Sequence, residues 1–221
     1  MKTHPDVTEQ IDAVPIDGSK PLIITDADEV LVQFITGLDS YLQEQGLYLD
    51  LQSFAITGNV KRQSDHVAVD ADVVQENLQA FFEHRTAHLP AVPGAAEALQ
   101  SLSERAQIIV LSNVPLDQKD ARIEGLQRIG VDYPVIANIG LKGAAIRDMT
   151  AHMDAPIFFL DDIPHNIDSA AEHADHVHRI HFVADPRLAR LIDQADGAHT
   201  RIDDWPAVHD YIHQKIDESG H

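Results

Sequence analysis

The chain has 221 residues, enough to bury one sizeable core with a modest insertion but not two full-sized domains. Its 36 acidic against 16 basic residues leave a net charge of -20, which opposes nucleic-acid backbones and anionic membranes, so neither is an expected partner. There is no cysteine, which excludes disulfides, thiol catalysis and cysteine-based zinc sites.

Met1 to Lys20 are polar and broken by Pro5 and Pro15, without the apolar stretch of a signal peptide, so a soluble cytoplasmic protein is expected. Leu22-Ile23-Ile24-Thr25 then reads as a buried strand that stops at Asp26-Ala27-Asp28. Open parallel sheets place their ligands at the carboxyl ends of such strands. Strand side chains alternate, so Asp26 and Asp28 would share one side, an arrangement that a cation or a proton must relieve.

Between Leu31 and about Leu89 no second buried strand is evident. Two helical stripes stand there instead: Phe34, Leu38, Tyr41 and Leu42, then Val74, Leu78, Phe81 and Phe82. The expected organisation is a body of residues 1–31 and 90–221 with a small helical cap, 32–89, that leaves just after the two acids and sits above them as a lid.

Beyond the insertion, short apolar runs at Gln107 to Leu111, Pro134 to Ala137, Pro156 to Leu160 and Arg179 to Val183 alternate with helical patterns, the rhythm of a parallel α/β sheet. Those helices are expected from Ala95 to Leu102, Asp120 to Ile129 (with Gly130 as a left-handed cap), Gly143 to His152, Ile167 to Ala174, Pro186 to Gln194 and Trp205 to Ile216, the last entered through Asp203-Asp204. Two of the later strands stop at polar pairs, Ser112-Asn113 and Asp161-Asp162. Each alone is an ordinary cap or turn; three strands delivering such groups to one edge point to a site.

In these residues the chain resembles the haloacid dehalogenase superfamily of phosphohydrolases. Asp26-Ala27-Asp28-Glu29-Val30 matches the first motif of that family and Ser112 the second, with Asn113 following. Lys142 in Gly140-Leu141-Lys142-Gly143 matches the third, and Asp161, Asp162 and Asn166 the fourth. The resemblance covers residues 21 to 184. It implies a Rossmann-like parallel sheet flanked by helices, with a small α-helical cap.

It further implies a phosphatase in which Asp26 is the nucleophile that forms an aspartyl-phosphate, and Asp28 the general acid and base. Mg²⁺ would be held by Asp26, Asp161, Asp162 and the backbone carbonyl of Asp28. Ser112 and Asn113 would bind the phosphoryl oxygens, and Lys142 would neutralise nucleophile and phosphate. Family dehalogenases usually lack an acid at the Asp28 position, so phosphoryl transfer is favoured over halide displacement. The substrate would be a small phosphorylated metabolite. A phosphosugar mutase and a catalytically weak binding protein of the same fold are the alternatives, and the oligomeric state, a homodimer included, stays open.

Two residues depart from the pattern. Val30 is the less common alternative to threonine, and Glu29 stands where the family usually has glycine, so it should strain the turn or point out of the cleft; turned inward, it would add negative charge. Similarity of Val30 to Phe34 and the short insertion to the deoxyribonucleotidase branch does not fix the substrate. The dense histidines His173, His176, His178 and His181 read as solvated side chains rather than a zinc cluster, and His165 as a loop surface residue. Lys61-Arg62 reads as a solvated pair, with a lid contact to an anionic substrate as the alternative. Trp205, Tyr211 and Ile212 read as ordinary packing.

Overall fold

The computed structural model describes residues 2–221. In chain order these form α1 (Pro5–Asp12), β1 (Leu22–Thr25), α2 (Phe34–Glu44), β2 (Leu47–Leu49), β3 (Val60–Arg62), α3 (Ala71–Arg85), α4 (Ala95–Leu102), β4 (Gln107–Ser112) and α5 (Lys119–Arg128). They continue as β5 (Val135–Ala137), α6 (Gly143–Thr150), β6 (Ile157–Asp161), α7 (Pro164–His173), β7 (His178–His181), α8 (Pro186–Ala189), β8 (Thr200–Arg201) and α9 (Trp205–Ser219). Six strands make one parallel sheet in the order β5-β4-β1-β6-β7-β8, a Rossmann-like α/β architecture.

The strand bearing Asp26 is central because it is apolar on both faces. Leu22 to Thr25 are all buried, and their side chains alternate between two cores. Ile23, Ile108, Val110, Phe158 and Leu160 pack with Leu99 of α4, Leu126 of α5 and Trp205 and Ile212 of α9. Leu22, Ile24, Ile109, Leu111 and Phe159 pack with Val7 of α1, Ile146 of α6 and Ile167 of α7. Each such side chain, fully buried, contributes roughly 1.5–3 kcal/mol, so both faces of the sheet hold the strand in register.

The insertion lies over the sheet's carboxyl edge. Its two helical stripes meet, with the Phe34 and Phe81 rings edge to face at 5.2 Å, but the insertion is not purely helical: β2 and β3 pair as an antiparallel hairpin. Three-residue strands are too short to show an alternation, which is why the pattern did not reveal them. α1 and β8 also lie outside the expected elements. α1 starts from His4, whose Nδ1 accepts from the Asp6 amide, with Pro5 in the first turn.

Two boundaries differ for identifiable reasons. α7 begins at Pro164, three residues before the expected start, since proline suits a first turn. α8 stops at Ala189 rather than Gln194 because Arg201 donates to the Ala189 and Ile192 carbonyls, and the Ala195 amide donates to His181 Nδ1. These side chains take up the backbone groups that a longer helix would have used. Gly130 has a φ of 85° past α5, and the Asp204 carboxylate caps α9 by accepting from the Ala207 amide, both as expected. Among the described residues no helix is long and apolar enough to cross a membrane.

Candidate active site

The sheet brings the expected polar groups to one edge because β1, β4 and β6 are adjacent, parallel and in register. Thr25 pairs with Val110 on one side and Leu160 on the other, so Asp26, Ser112 and Asp161-Asp162 all follow strand ends at nearly one height. Carboxylate oxygens of Asp26, Asp161 and Asp162, all buried, lie within 4.8 Å of one another.

Lys142, fully buried at the head of α6, is the cation among them. Its Nζ lies 2.8 Å from Asp26 Oδ1 and 2.6 Å from Asp161 Oδ2. Burial works to strip its proton, but Asp161 and Asp26 overcome this and hold its pKa above the ordinary lysine value. The glycine that follows is a packing requirement. A Cβ on Gly143 would stand 2.1 Å from the Ser169 carbonyl oxygen, so only glycine lets α6 approach α7 closely enough to place Lys142.

Asp161 is held by three donors: Lys142, the Ile163 amide at 2.9 Å and Asn166 Nδ2 at 3.0 Å. Asn166 thus takes the position expected of it. Burial still pushes Asp161 up to about 6 against the pull of Lys142. Asp162 is raised further, by burial and by facing Asp161 and Asp26. Three carboxylates with one ammonium are under-compensated, and their oxygens are hard donors grouped at ligating distance, so they fit a hard divalent cation. The side chain of Asp28 stands outside this triad; its assignment as a metal ligand concerns only its backbone carbonyl.

Asp28 turns instead to Arg122 of α5, whose Nη2 donates to Asp28 Oδ1 at 2.6 Å. Burial raises the Asp28 pKa, opposed by Arg122. Arg122 went unrecognised because it sits among alternating charges on a helix, which ordinarily marks a solvated face. Asn138 is a second addition, and its signal was present: it follows β5 as Asn113 follows β4. It is buried, and its Nδ2 donates to Asn113 Oδ1 at 2.8 Å and to the Gly140 carbonyl, fixing Asn113 and the loop that leads to Lys142. Ser112 is fully buried, and its Oγ has no hydrogen-bond partner among the described residues.

Glu29 takes the strained backbone and turns inward rather than out of the cleft. Its φ is 56°, the left-handed region that favours glycine, and it is only 2 % exposed. One carboxylate oxygen accepts from the Ile35 amide in the first turn of α2 at 2.7 Å, the other from the Asp185 amide at 3.0 Å. Burial, with Asp185 and Asp28 nearby, raises its pKa to about 7. It therefore ties the insertion to the loop before α8.

Part of this constellation opens into a cavity of about 350 Å³, which Lys142, Ser112 and Asp161 do not line. Its floor includes Asp26, Asp28, Glu29 and Asp162, with Asn113 and Asn166; the insertion supplies Phe34, Phe54, Ile56 and Phe82. Lys61 and Arg62 are not part of it, being paired with Asp50 and Asp65. The metal-ligating group among the described residues, Asp26 with Asp161 and Asp162, contains no histidine. His181 is not solvated, however: it is fully buried, with Nε2 against the Asp162 carbonyl at 3.0 Å and Nδ1 accepting from Ala195.

No family model matches this chain, and neither does any curated protein. Solved structures do. A haloacid dehalogenase-like family hydrolase from Streptococcus pneumoniae matches with a TM-score of 0.59 at 14% identity, covering 87% of this chain and 98% of that one. A hydrolase of that family from Deinococcus radiodurans, with bound phosphate and sodium, matches with a TM-score of 0.54 at 17% identity, covering 92% and 98%. An L-2-haloacid dehalogenase matches with a TM-score of 0.56 at 12% identity, covering 88% and 100%. At these identities the likeness is one of fold, and the chain has the haloacid dehalogenase-like fold.

Proposed function

We propose that this chain is a haloacid dehalogenase-like phosphatase that hydrolyses a small phosphomonoester through an aspartyl-phosphate. The observation that carries the reading is the placement of Asp26 at the end of the central strand, in a buried triad with Asp161 and Asp162, paired with Lys142 and followed two residues later by Asp28. Lys142 and the Ala27 amide both hold Asp26 Oδ1, which orients Oδ2 for attack.

In the first step a bond forms between Asp26 Oδ2 and phosphorus while the bond to the alcohol oxygen breaks, and Asp28 gives its proton to that oxygen. In the second, Asp28 takes a proton from water as the water oxygen bonds to phosphorus, releasing phosphate and restoring Asp26. The raised pKa of Asp28 suits a group that must first hold a proton. Ser112 Oγ and the Asn113 amide would donate to the phosphoryl oxygens. Mg²⁺ held by Asp26, Asp161 and Asp162 would offset their charge and that of the phosphate.

The dehalogenase among the similar structures shares the fold, but a departing halide needs no proton and so gives Asp28 no task. Proteins described provisionally as β-phosphoglucomutases match as well, and a mutase would return the phosphoryl group to an isomeric product. Incubation with an aryl phosphate and Mg²⁺ tests the proposal: phosphate should be released, Asp26→Asn should abolish release, and turnover that survives this substitution would rule the mechanism out.

A further inference from the structure

Resting on the phosphatase reading, the walls of the same cavity say what the alcohol half of the substrate must be. The floor is acidic, and no residue lining the cavity carries a positive charge. The cations that come near are already engaged. Lys142 is buried between Asp26 and Asp161, Arg122 is buried behind Asp28 with one Nη paired to it and does not line the cavity, and Arg187, beside the lining residue Leu188, pairs with Asp185. Lys61 and Arg62, the cations of β3, pair with Asp50 and Asp65.

A second anionic group on the substrate would therefore be desolvated beside acids with no counter-charge, which costs far more than a neutral group of the same shape. What the insertion offers is apolar: Phe34, Phe54, Ile56 and Phe82, joined from the core by Ile163 and Leu188. Phe34 and Phe82 stand 5.8 Å apart between ring centroids, presenting adjoining aromatic surfaces to the cavity. Ile163, immediately after Asp162, is 36% exposed and lines the cavity. A volume of about 350 Å³ lies at the small end of ligand pockets, room for a phosphoryl group and a compact ring.

We infer that the substrate is a phosphomonoester of an uncharged, predominantly apolar alcohol of about one ring's size, and that the insertion selects against a second anionic group. Sugar bisphosphates, nucleoside polyphosphates and carboxylated phosphates such as phosphoglycolate are disfavoured on this ground.

The test compares ligands of nearly equal shape that differ in charge. Benzylphosphonate and 4-carboxybenzylphosphonate cannot be hydrolysed, so their binding in the presence of Mg²⁺ reads the cavity without needing turnover. The neutral compound is expected to bind at least tenfold more tightly, and 4-carbamoylphenyl phosphate to exceed 4-carboxyphenyl phosphate at least tenfold in kcat/KM. Ile56→Lys puts a cation on the wall and should narrow both differences. Equal binding of the two phosphonates, binding of neither, or an unchanged difference in Ile56→Lys would overturn the inference. If the binding preference holds while no phosphomonoester is cleaved, the phosphatase reading fails and the charge selection stands.

Discussion

Arg122 Nη2 donates to Asp28 Oδ1 across 2.6 Å, and the two ends of this pair are unequally buried: the Arg122 side chain is 1% exposed, that of Asp28 21%. Arg122 Nε and Nη1 have no other partner. The guanidinium therefore depends on Asp28 more than Asp28 depends on it.

This asymmetry predicts an order of stabilities. Asp28→Asn leaves a buried charge without its counter-ion and is expected to cost about 3 kcal/mol, whereas Arg122→Met leaves a carboxylate that water can reach and should cost about 1 kcal/mol. Urea unfolding of both variants checks this. If Arg122→Met were the more damaging, Arg122 would be held by contacts other than the pair.

Glu29→Gly sets two effects against each other. Glycine relieves the left-handed backbone, worth roughly 1 kcal/mol, but it removes a buried carboxyl group that accepts from two backbone N–H groups, worth roughly 1.5 kcal/mol each. The hydrogen bonds win, and a net loss of about 2 kcal/mol is expected. The folded pKa of about 7 lies above the unfolded value, so the native state holds this proton more tightly. The Glu29 contribution should thus be fullest below about pH 4.5 and fade as pH rises through 7. Melting curves at pH 5 and pH 8 should show the larger deficit at pH 5; a larger deficit at pH 8 would contradict the assigned shift.

Magnesium should raise the melting temperature if, as proposed, the grouped carboxylates of the native state hold it and the unfolded chain does not. Asp161, at about 6, and Asp162, raised by burial and its neighbours, compete for protons with the ion. The increment is therefore expected to grow between pH 5.5 and pH 8, and to shrink sharply in Asp162→Asn. A pH-independent increment that survives in Asp162→Asn would place the ion elsewhere.

What could be read in advance divides along physical lines. Leu22 to Thr25 and Ile157 to Leu160 are buried on both faces, so unbroken apolar runs marked them as central strands, and their parallel register carried Asp26 and Asp161 to one edge. Lys142 and Asn166 were legible only through the resemblance to the haloacid dehalogenase motifs. Arg122 was not, since nothing in a charged helix says which charge faces inward. The Leu47–Leu49 and Val60–Arg62 hairpin was too short to show a period, and the cavity face of Phe34 and Phe82 was hidden because those rings also serve the packing of the two helices. Glu29 was recognised as a departure, but that its carboxylate caps α2 depends on the three-dimensional approach of the Ile35 and Asp185 amides.

Lys142→Met isolates what the lysine contributes to folding from the role at the phosphoryl group proposed for it. The substitution keeps the volume and removes the only ammonium from between Asp26 and Asp161, leaving three buried carboxylates to repel one another. Breaking such an arrangement typically costs 3–5 kcal/mol, about the whole margin of an unstable domain. The carboxylates can recover part of it by holding protons, so their folded pKa values rise above the unfolded ones; the variant should be most stable near pH 5 and lose stability as pH rises. Mg²⁺ supplies the missing charge, so the rise in melting temperature on adding it should exceed that of the unmodified protein. Differential scanning calorimetry with and without Mg²⁺ at pH 5.5 and 8 measures both. A smaller magnesium increment in Lys142→Met would mean that the lysine orders the carboxylates for the ion rather than competing with it for their charge.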